Sequence, residues 1–219
     1  YFDPAVFSPQ QNRELRQQWQ LEEDDFVWIF VGRLVKDKGI NELVAAFRQL
    51  TEEFNDSENK NSSVANIRKR APKLLLVGPL ESELDPLLPE TLREMEHNKN
   101  ILTVGYQKDV RPYLAAADAL VFPSYREGFP NVVMQAGAMG LPSIVTDING
   151  CNEIIINNQN GLLVKMKDEE SLYNGIEQLV NDKEFYNGIK NNVRKSIVER
   201  YSQDYFYSQL YQEFSKLKI

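Results

Sequence analysis

Short apolar runs that alternate with helix-periodic segments predict an α/β domain, a Rossmann-like parallel sheet with helices on both faces. Three observations carry this. Phe26–Val31 is a continuous apolar run that stops at Gly32, the pattern of a strand buried on both sides. The same unit of strand and breaker recurs at Lys73–Val77 before Gly78, at Ile101–Val104 before Gly105, and at Ala119–Phe122 before Pro123. Between these runs the apolar residues return at the three- and four-residue intervals of helices laid against a sheet. Repeated βα units close into a parallel sheet through right-handed crossovers.

Residues 1–25 read as an interdomain linker and lead-in helix. The opening Tyr-Phe-Asp-Pro-Ala-Val-Phe-Ser-Pro is punctuated by proline, and Tyr1 stands where a natural start would have Met, so a preceding segment is expected. Residues 26–200 read as one domain. After its first strand, Asp37 is placed to N-cap a helix whose Ile40, Leu43, Val44 and Phe47 share a face. Residues 55–70, rich in Asn and Ser with mixed charge, predict an exposed loop. Lys73–Val77 is the second strand and Pro86–His97 a helix. Ile101–Val104 is the third strand, and Asp109–Ala117 is helical with Pro112 in its first turn. Ala119–Phe122 is the fourth strand, followed by a helix over Pro130–Met139. Ser143–Thr146 and Gly161–Val164 are the fifth and sixth strands, and helices near 168–181, 183–199 and 202–216 finish the chain.

The 219 residues are 42% hydrophobic and 26% charged, enough for one full core. A net charge of -7 argues against a nonspecific grip on nucleic acid. The lone Cys151 makes no internal disulfide, which points to a reducing, cytoplasmic setting. With one histidine, His97, and no CxxC or HExxH, a His/Cys metal site is not expected. The apolar runs are too short to span a bilayer. No GxGxxG follows a strand and no GxxxxGK[ST] occurs, so the dinucleotide and P-loop fingerprints are missing. There is no Asp-x-Asp to hold a divalent ion on a sugar nucleotide.

In parallel sheets ligands bind at the carboxyl ends of the strands, here Gly32, Gly78, Gly105 and the segment 123–128. Each glycine alone suits a tight turn; together at strand ends they mark a site. Gly32-Arg33-Leu34-Val35-Lys36-Asp37-Lys38-Gly39 places cations between a strand and a helix N-terminus, which suits a diphosphate and equally a solvated basic turn. Glu127 and Gly128 precede the helix that starts at Pro130. A carboxylate beside free helix N–H groups could grip sugar hydroxyls while those groups hold phosphate, or could simply complement the dipole. Asn131 and Gln135 share a face of that helix, and Gln135 also suits a buried amide. The 147–153 segment reads as a site loop or as a turn and helix cap. Cys151 within it reads as a nucleophile or, more commonly, a small buried thiol.

Four stretches together resemble the family 4, group 1 glycosyltransferases of the GT-B fold: Val31-Gly-Arg-Leu-x-x-x-Lys38-Gly39; Leu75-Leu-Val-Gly-Pro79; Leu120-Val-Phe-Pro-Ser-x-x-Glu-Gly-Phe-Pro-Asn131; and Gly140-Leu-Pro-x-Ile-Val. Their order and spacing cover nearly the whole chain, as the C-terminal, donor-binding half of that fold. The resemblance implies a retaining, metal-independent hexosyltransferase without a cofactor, whose substrate is a nucleotide-sugar such as a UDP- or GDP-sugar. It implies catalytic roles for Glu127, Arg33 and Lys38, with Arg33 and Lys38 on the diphosphate and Glu127 on the donor sugar. It places the backbone of Phe129, Pro130, Asn131 and Val132 near sugar and phosphate, and Gly105-Tyr106 against the base. Where the family pattern has a second glutamate for the ribose, this chain has Gln135. The acceptor, a glycan or lipid-linked glycan, would be held by a missing N-terminal domain, toward which a C-terminal helix at 201–219 would pack. Polysaccharide synthesis at the inner face of the membrane, with peripheral membrane contact, is the implied setting. A sugar-nucleotide epimerase of the same fold and a noncatalytic nucleotide-binding domain are the alternatives.

Overall fold

The computed structural model describes residues 2–59 and 71–216. Its centre is a six-stranded parallel sheet in the order β3-β2-β1-β4-β5-β6. The strands are β1 Phe26–Val31, β2 Pro72–Val77, β3 Ile101–Gly105, β4 Ala119–Phe122, β5 Ser143–Thr146 and β6 Gly161–Val164. β1 pairs with β2 along its whole length, from Phe26 opposite Pro72 to Val31 opposite Val77. On its other side Trp28 and Ile29 face Ala119 and Leu120 of β4. Every residue from Phe26 to Phe30 is buried, so the continuous apolar run reports a strand covered on both faces.

The helices are α1 Pro9–Gln18, α2 Ile40–Asn59, α3 Pro89–His97, α4 Arg111–Ala116, α5 Asn131–Ala138, α6 Cys151–Ile154, α7 Glu169–Asn181, α8 Lys183–Tyr201 and α9 Gln203–Lys216. Right-handed crossovers decide the layers. The chain steps outward from β1 to β2 to β3 in one direction, so α2 and α3 cover one face; α7 joins them by packing on α2. It then returns past β1 to β4 and steps on to β5, which puts α4 and α5 on the opposite face, with α8 on α5 and α1 on α4. α1 opens on a reciprocal cap: Ser8 Oγ accepts from the Gln11 amide at 3.2 Å and Gln11 accepts from the Ser8 amide at 2.8 Å. Arg16 then ties α1 to the domain through the carbonyls of Ala116 and Asp25, at 3.0 and 2.7 Å.

Several expected boundaries move. Asp37 is not an N-cap. Its amide is taken by the Asp85 carboxylate at 2.6 Å and its carbonyl by the Tyr125 amide at 2.8 Å, which folds residues Lys36–Lys38 into a 3-10 turn. α2 starts only after Gly39. It then continues through residues 55–59, expected as loop, because no Gly or Pro interrupts it; residues 60–70 of that expectation lie outside the described residues. α3 begins at Pro89 rather than Pro86, with proline in the first turn, where its missing N–H costs nothing. α4 begins at Arg111, because Asp109 accepts from the Arg111 amide and guanidinium instead of joining the helix. The same ion pair holds the Asp109 carboxyl down at about 2.

Candidate functional site

The order of the strands fixes where a ligand can enter. The chain leaves β1 for β2 on one side and comes back to β4 on the other, so the carboxyl ends of β1 and β4 border a crevice at the switch point. The loops lining it are 32–39, after β1, and 123–130, after β4. They are joined directly, by the Tyr125 amide on the Asp37 carbonyl. Thr146 at the end of β5 donates its hydroxyl to the Ser124 carbonyl and brings in the 147–150 turn.

Across this junction Lys38 Nζ lies 2.5 Å from Glu127 Oε1, with the two side chains only 16% and 14% exposed. Residues 89 apart in sequence thus form an ion pair at the rim of the sheet. The ammonium also sits 5.8 Å from the centre of the Phe122 ring. Arg33 turns the other way. Its guanidinium meets Glu81 Oε2 at 3.0 Å in the loop after β2, and it is about half exposed. Both cations therefore stand at the carboxyl edge, one against the β4 side and one against the β2 side, each facing a glutamate.

The strand-end glycines pack backbone on backbone. The Gly32 amide donates to the Val77 carbonyl and the Gly78 amide to the Gly105 carbonyl, both at 2.9 Å. A Cβ on Gly78 would collide with the Gly32 carbonyl oxygen, so protein packing alone accounts for this glycine. Tyr106 stands at the end of β3 with most of its ring in solvent.

α5 presents its N-terminus to the same rim. Pro130 is its N-cap and no side chain caps its first amides, at Asn131 and Val132. Gly128, Phe129 and Asn131 are exposed, whereas Pro130, Val133, Ala136 and Gly137 are buried. Val132 packs on the core from a half-buried position. Gln135, one turn along from Asn131, is half-buried, and its side chain makes no hydrogen bond within the described residues.

The 147–153 segment is both a turn and part of the site. α6 has Gly150 as its N-cap, whose φ of 80° suits glycine; a Cβ there would collide with the Gly128 carbonyl. Cys151 is fully buried beside the ion pair. Burial, then the charge of Glu127, pushes its thiol up to about 12, with Lys38 opposing. That favours the inert buried thiol over the nucleophile.

Sequence reasoning did not single out Tyr125 or Glu42. The Tyr125 hydroxyl donates to Glu42 Oε1 at 2.5 Å and ties the 123–130 loop to the first turn of α2. Burial, the bond to Glu42 and the charges of Asp85 and Asp37 push its phenol up. Nothing local signals a contact between residues 83 apart. Among the described residues no helix is long and apolar enough to cross a membrane.

The sequence model of the glycosyl transferases group 1 family matches residues 11–196. The chain is 30% identical over 200 residues to the capsular polysaccharide biosynthesis glycosyltransferase CapM of Staphylococcus aureus, covering 91% of this chain and 48% of that protein. It is 34% identical over 163 residues to TuaC of Bacillus subtilis, a putative teichuronic acid biosynthesis glycosyltransferase, covering 74% of this chain and 35% of that one. Anabaena HepE, solved in complex with UDP and glucose, superimposes with a TM-score of 0.79 at 22% identity, over 99% of this chain and 55% of that chain. The chain thus spans about half the length of the first of these relatives or less. Its sheet is the Rossmann-like half of a GT-B fold, and the chain belongs to the group 1 glycosyltransferases.

Proposed function

We propose that this chain is the donor-binding half of a retaining, metal-independent hexosyltransferase. Its donor is a nucleotide-sugar, a UDP- or GDP-sugar, and its acceptor a glycan or lipid-linked glycan. The acceptor is held by an N-terminal domain corresponding to the extra length of the relatives. The relatives' polysaccharide names support a setting at the cytoplasmic face of a membrane, with peripheral contact.

The observation that carries this is the Lys38–Glu127 pair beside the uncapped N-terminus of α5, at the switch point of the sheet. A diphosphate there meets Lys38 and the first amides of α5, and draws the half-exposed Arg33 from Glu81 across the rim. These cationic and dipolar groups stabilise the charge that develops as the nucleoside diphosphate departs. Glu127 accepts from donor-sugar hydroxyls, and the backbone of Gly128–Val132 borders sugar and phosphate. Gln135 offers neutral hydrogen bonds to the ribose, and the exposed Tyr106 borders the base.

A thermal-shift panel of UDP-, GDP- and ADP-sugars tests the reading. A ligand at a hundred times its Kd stabilises by about 2.7 kcal/mol, which for a chain of this size raises Tm by roughly 5–10 °C. One nucleotide class is expected to do so, and Lys38→Met to remove the shift. No shift with any sugar nucleotide, or an equal shift in Lys38→Met, rejects the assignment.

A further inference from the structure

Two residues at the end of α8 hold the 127–129 loop from outside the crevice. The Arg200 guanidinium donates to the Ile154 carbonyl at 3.0 Å and to the Glu153 carbonyl, both at the end of α6. The Tyr201 hydroxyl donates to the same Glu153 carbonyl at 2.9 Å and accepts from Arg200 at 2.6 Å. A cation on the last carbonyls of a helix is a favourable arrangement. The Tyr201 ring meets the Phe129 ring edge-on, with centroids 5.6 Å apart. α6 in turn rests on the loop, because Gly150 leaves no room for a Cβ against the Gly128 carbonyl. α8 therefore reaches Phe129 through a ring and Gly128 through α6. Gly128 and Phe129 are otherwise exposed, and an exposed segment costs conformational entropy to order when a ligand binds.

We propose that Arg200 and Tyr201 are positioning residues for the donor-sugar end of the crevice. They fix the backbone at Gly128–Phe129, and so aim Glu127 and the first amides of α5. Tyr201 also stands one residue before Ser202, where the chain turns into α9. The order of the loop and the direction of α9 thus share one anchor. Binding energy for a sugar depends on groups held in place beforehand, and this anchor holds them. The proposal rests on the donor-binding reading above.

Two measurements on the whole chain test it, each on the parent, Tyr201→Ala, Tyr201→Phe and Arg200→Gln. The first is amide hydrogen exchange without ligand. Tyr201→Ala is expected to speed exchange across 127–133 and 150–155 by roughly tenfold or more, with β1 and β2 unchanged. Tyr201→Phe, which keeps the ring on Phe129, should fall between the two. The second is titration with UDP-glucose and with UDP. Tyr201→Ala should weaken UDP-glucose about tenfold and UDP less than threefold, a split that general destabilisation does not produce. If Tyr201→Ala does not fold, Arg200→Gln carries both comparisons with the same expected directions, because it removes the Arg200 bonds to α6 while Tyr201 keeps its hydroxyl bond and ring contact. Unchanged exchange at 127–133 overturns the proposal, and so does equal loss of UDP and UDP-glucose. If the parent binds neither probe, the donor reading fails for this nucleotide, while the exchange experiment still decides whether α8 orders the loop.

Discussion

At the scale of single residues, Gln135 and Cys151 show how surroundings choose among chemical roles. Glutamine in a helix is a bland residue in sequence, and either a core amide or a ligand contact fits it. The structure leaves its side chain half-buried and without a hydrogen-bond partner among the described residues, on the helix face that continues from the exposed Asn131. If it meets the ribose, each of its neutral hydrogen bonds is worth about 0.5–1.5 kcal/mol net, less than a charge-assisted bond from a carboxylate. Gln135→Leu is then expected to weaken nucleotide binding by about tenfold, and Gln135→Glu to tighten it or leave it unchanged. Calorimetric titration decides. A leucine variant that binds as well as the parent makes Gln135 a packing residue. Cys151 gives a second expectation. Burial and the charge of Glu127 push its thiol up to about 12, which leaves little of the reactive thiolate near neutral pH. An aromatic disulfide reagent at pH 8 should leave the folded chain unlabelled and label it fully in denaturant. Rapid labelling of the folded chain would mean that the pocket opens.

At the scale of elements, strands were legible and the joints between them were not. Burial on both faces leaves an uninterrupted apolar run at Phe26–Val31 in β1, Leu74–Val77 in β2 and Ala119–Phe122 in β4, which no helix of that length would need. The first turn of α2 was misread because the groups that reshape it come from elsewhere: Asp85 holds the Asp37 amide and Tyr125 the Asp37 carbonyl. Both partners are far away in sequence, so local capping rules pointed to Asp37 and tertiary hydrogen bonds overrode them. α6 was legible only as an ambiguous turn, since four residues are too few for periodicity. The cations and Glu127 were legible through motif spacing, yet the pairing of Lys38 with Glu127 and of Arg33 with Glu81 was not. The seating of α6 on the loop gives a stability expectation. Gly150→Ala adds left-handed backbone strain of about 1–2 kcal/mol and overpacking of about 1–3 kcal/mol against the Gly128 carbonyl. Tm should fall by roughly 5–15 °C, read by calorimetry. A drop under 2 °C would show that the two loops separate at little cost.

At the scale of the whole molecule, α9 departs from the pattern of the rest. α7 and α8 bury apolar residues against the domain, whereas α9 has no buried residue and meets α8 alone among its stronger contacts. Its Tyr207, Leu210, Tyr211 and Phe214 repeat at three- and four-residue intervals, so they form one exposed apolar stripe. A stripe of this kind marks an interaction surface. The relatives extend to about twice this length, and we propose that the N-terminal domain assigned above covers this helix. Two consequences separate the domain's own folding from its assembly. In the 219-residue chain, Tyr207→Glu with Tyr211→Glu should change stability by less than about 0.5 kcal/mol per site, because both side chains are mostly exposed and Tyr207 meets only the equally exposed Phe206 ring-on-ring. In the full-length protein the same pair should lower sugar transfer by tenfold or more, since the charges would be driven into a desolvated contact. If the acceptor is held by the proposed N-terminal domain, the isolated chain should bind donor and transfer no sugar. Assay of all three forms with one donor and acceptor decides. If the doubly substituted full-length protein transfers sugar at the parent's rate, α9 faces solvent in the assembled enzyme. If the isolated chain transfers at a comparable rate, the cleft does not need its second wall.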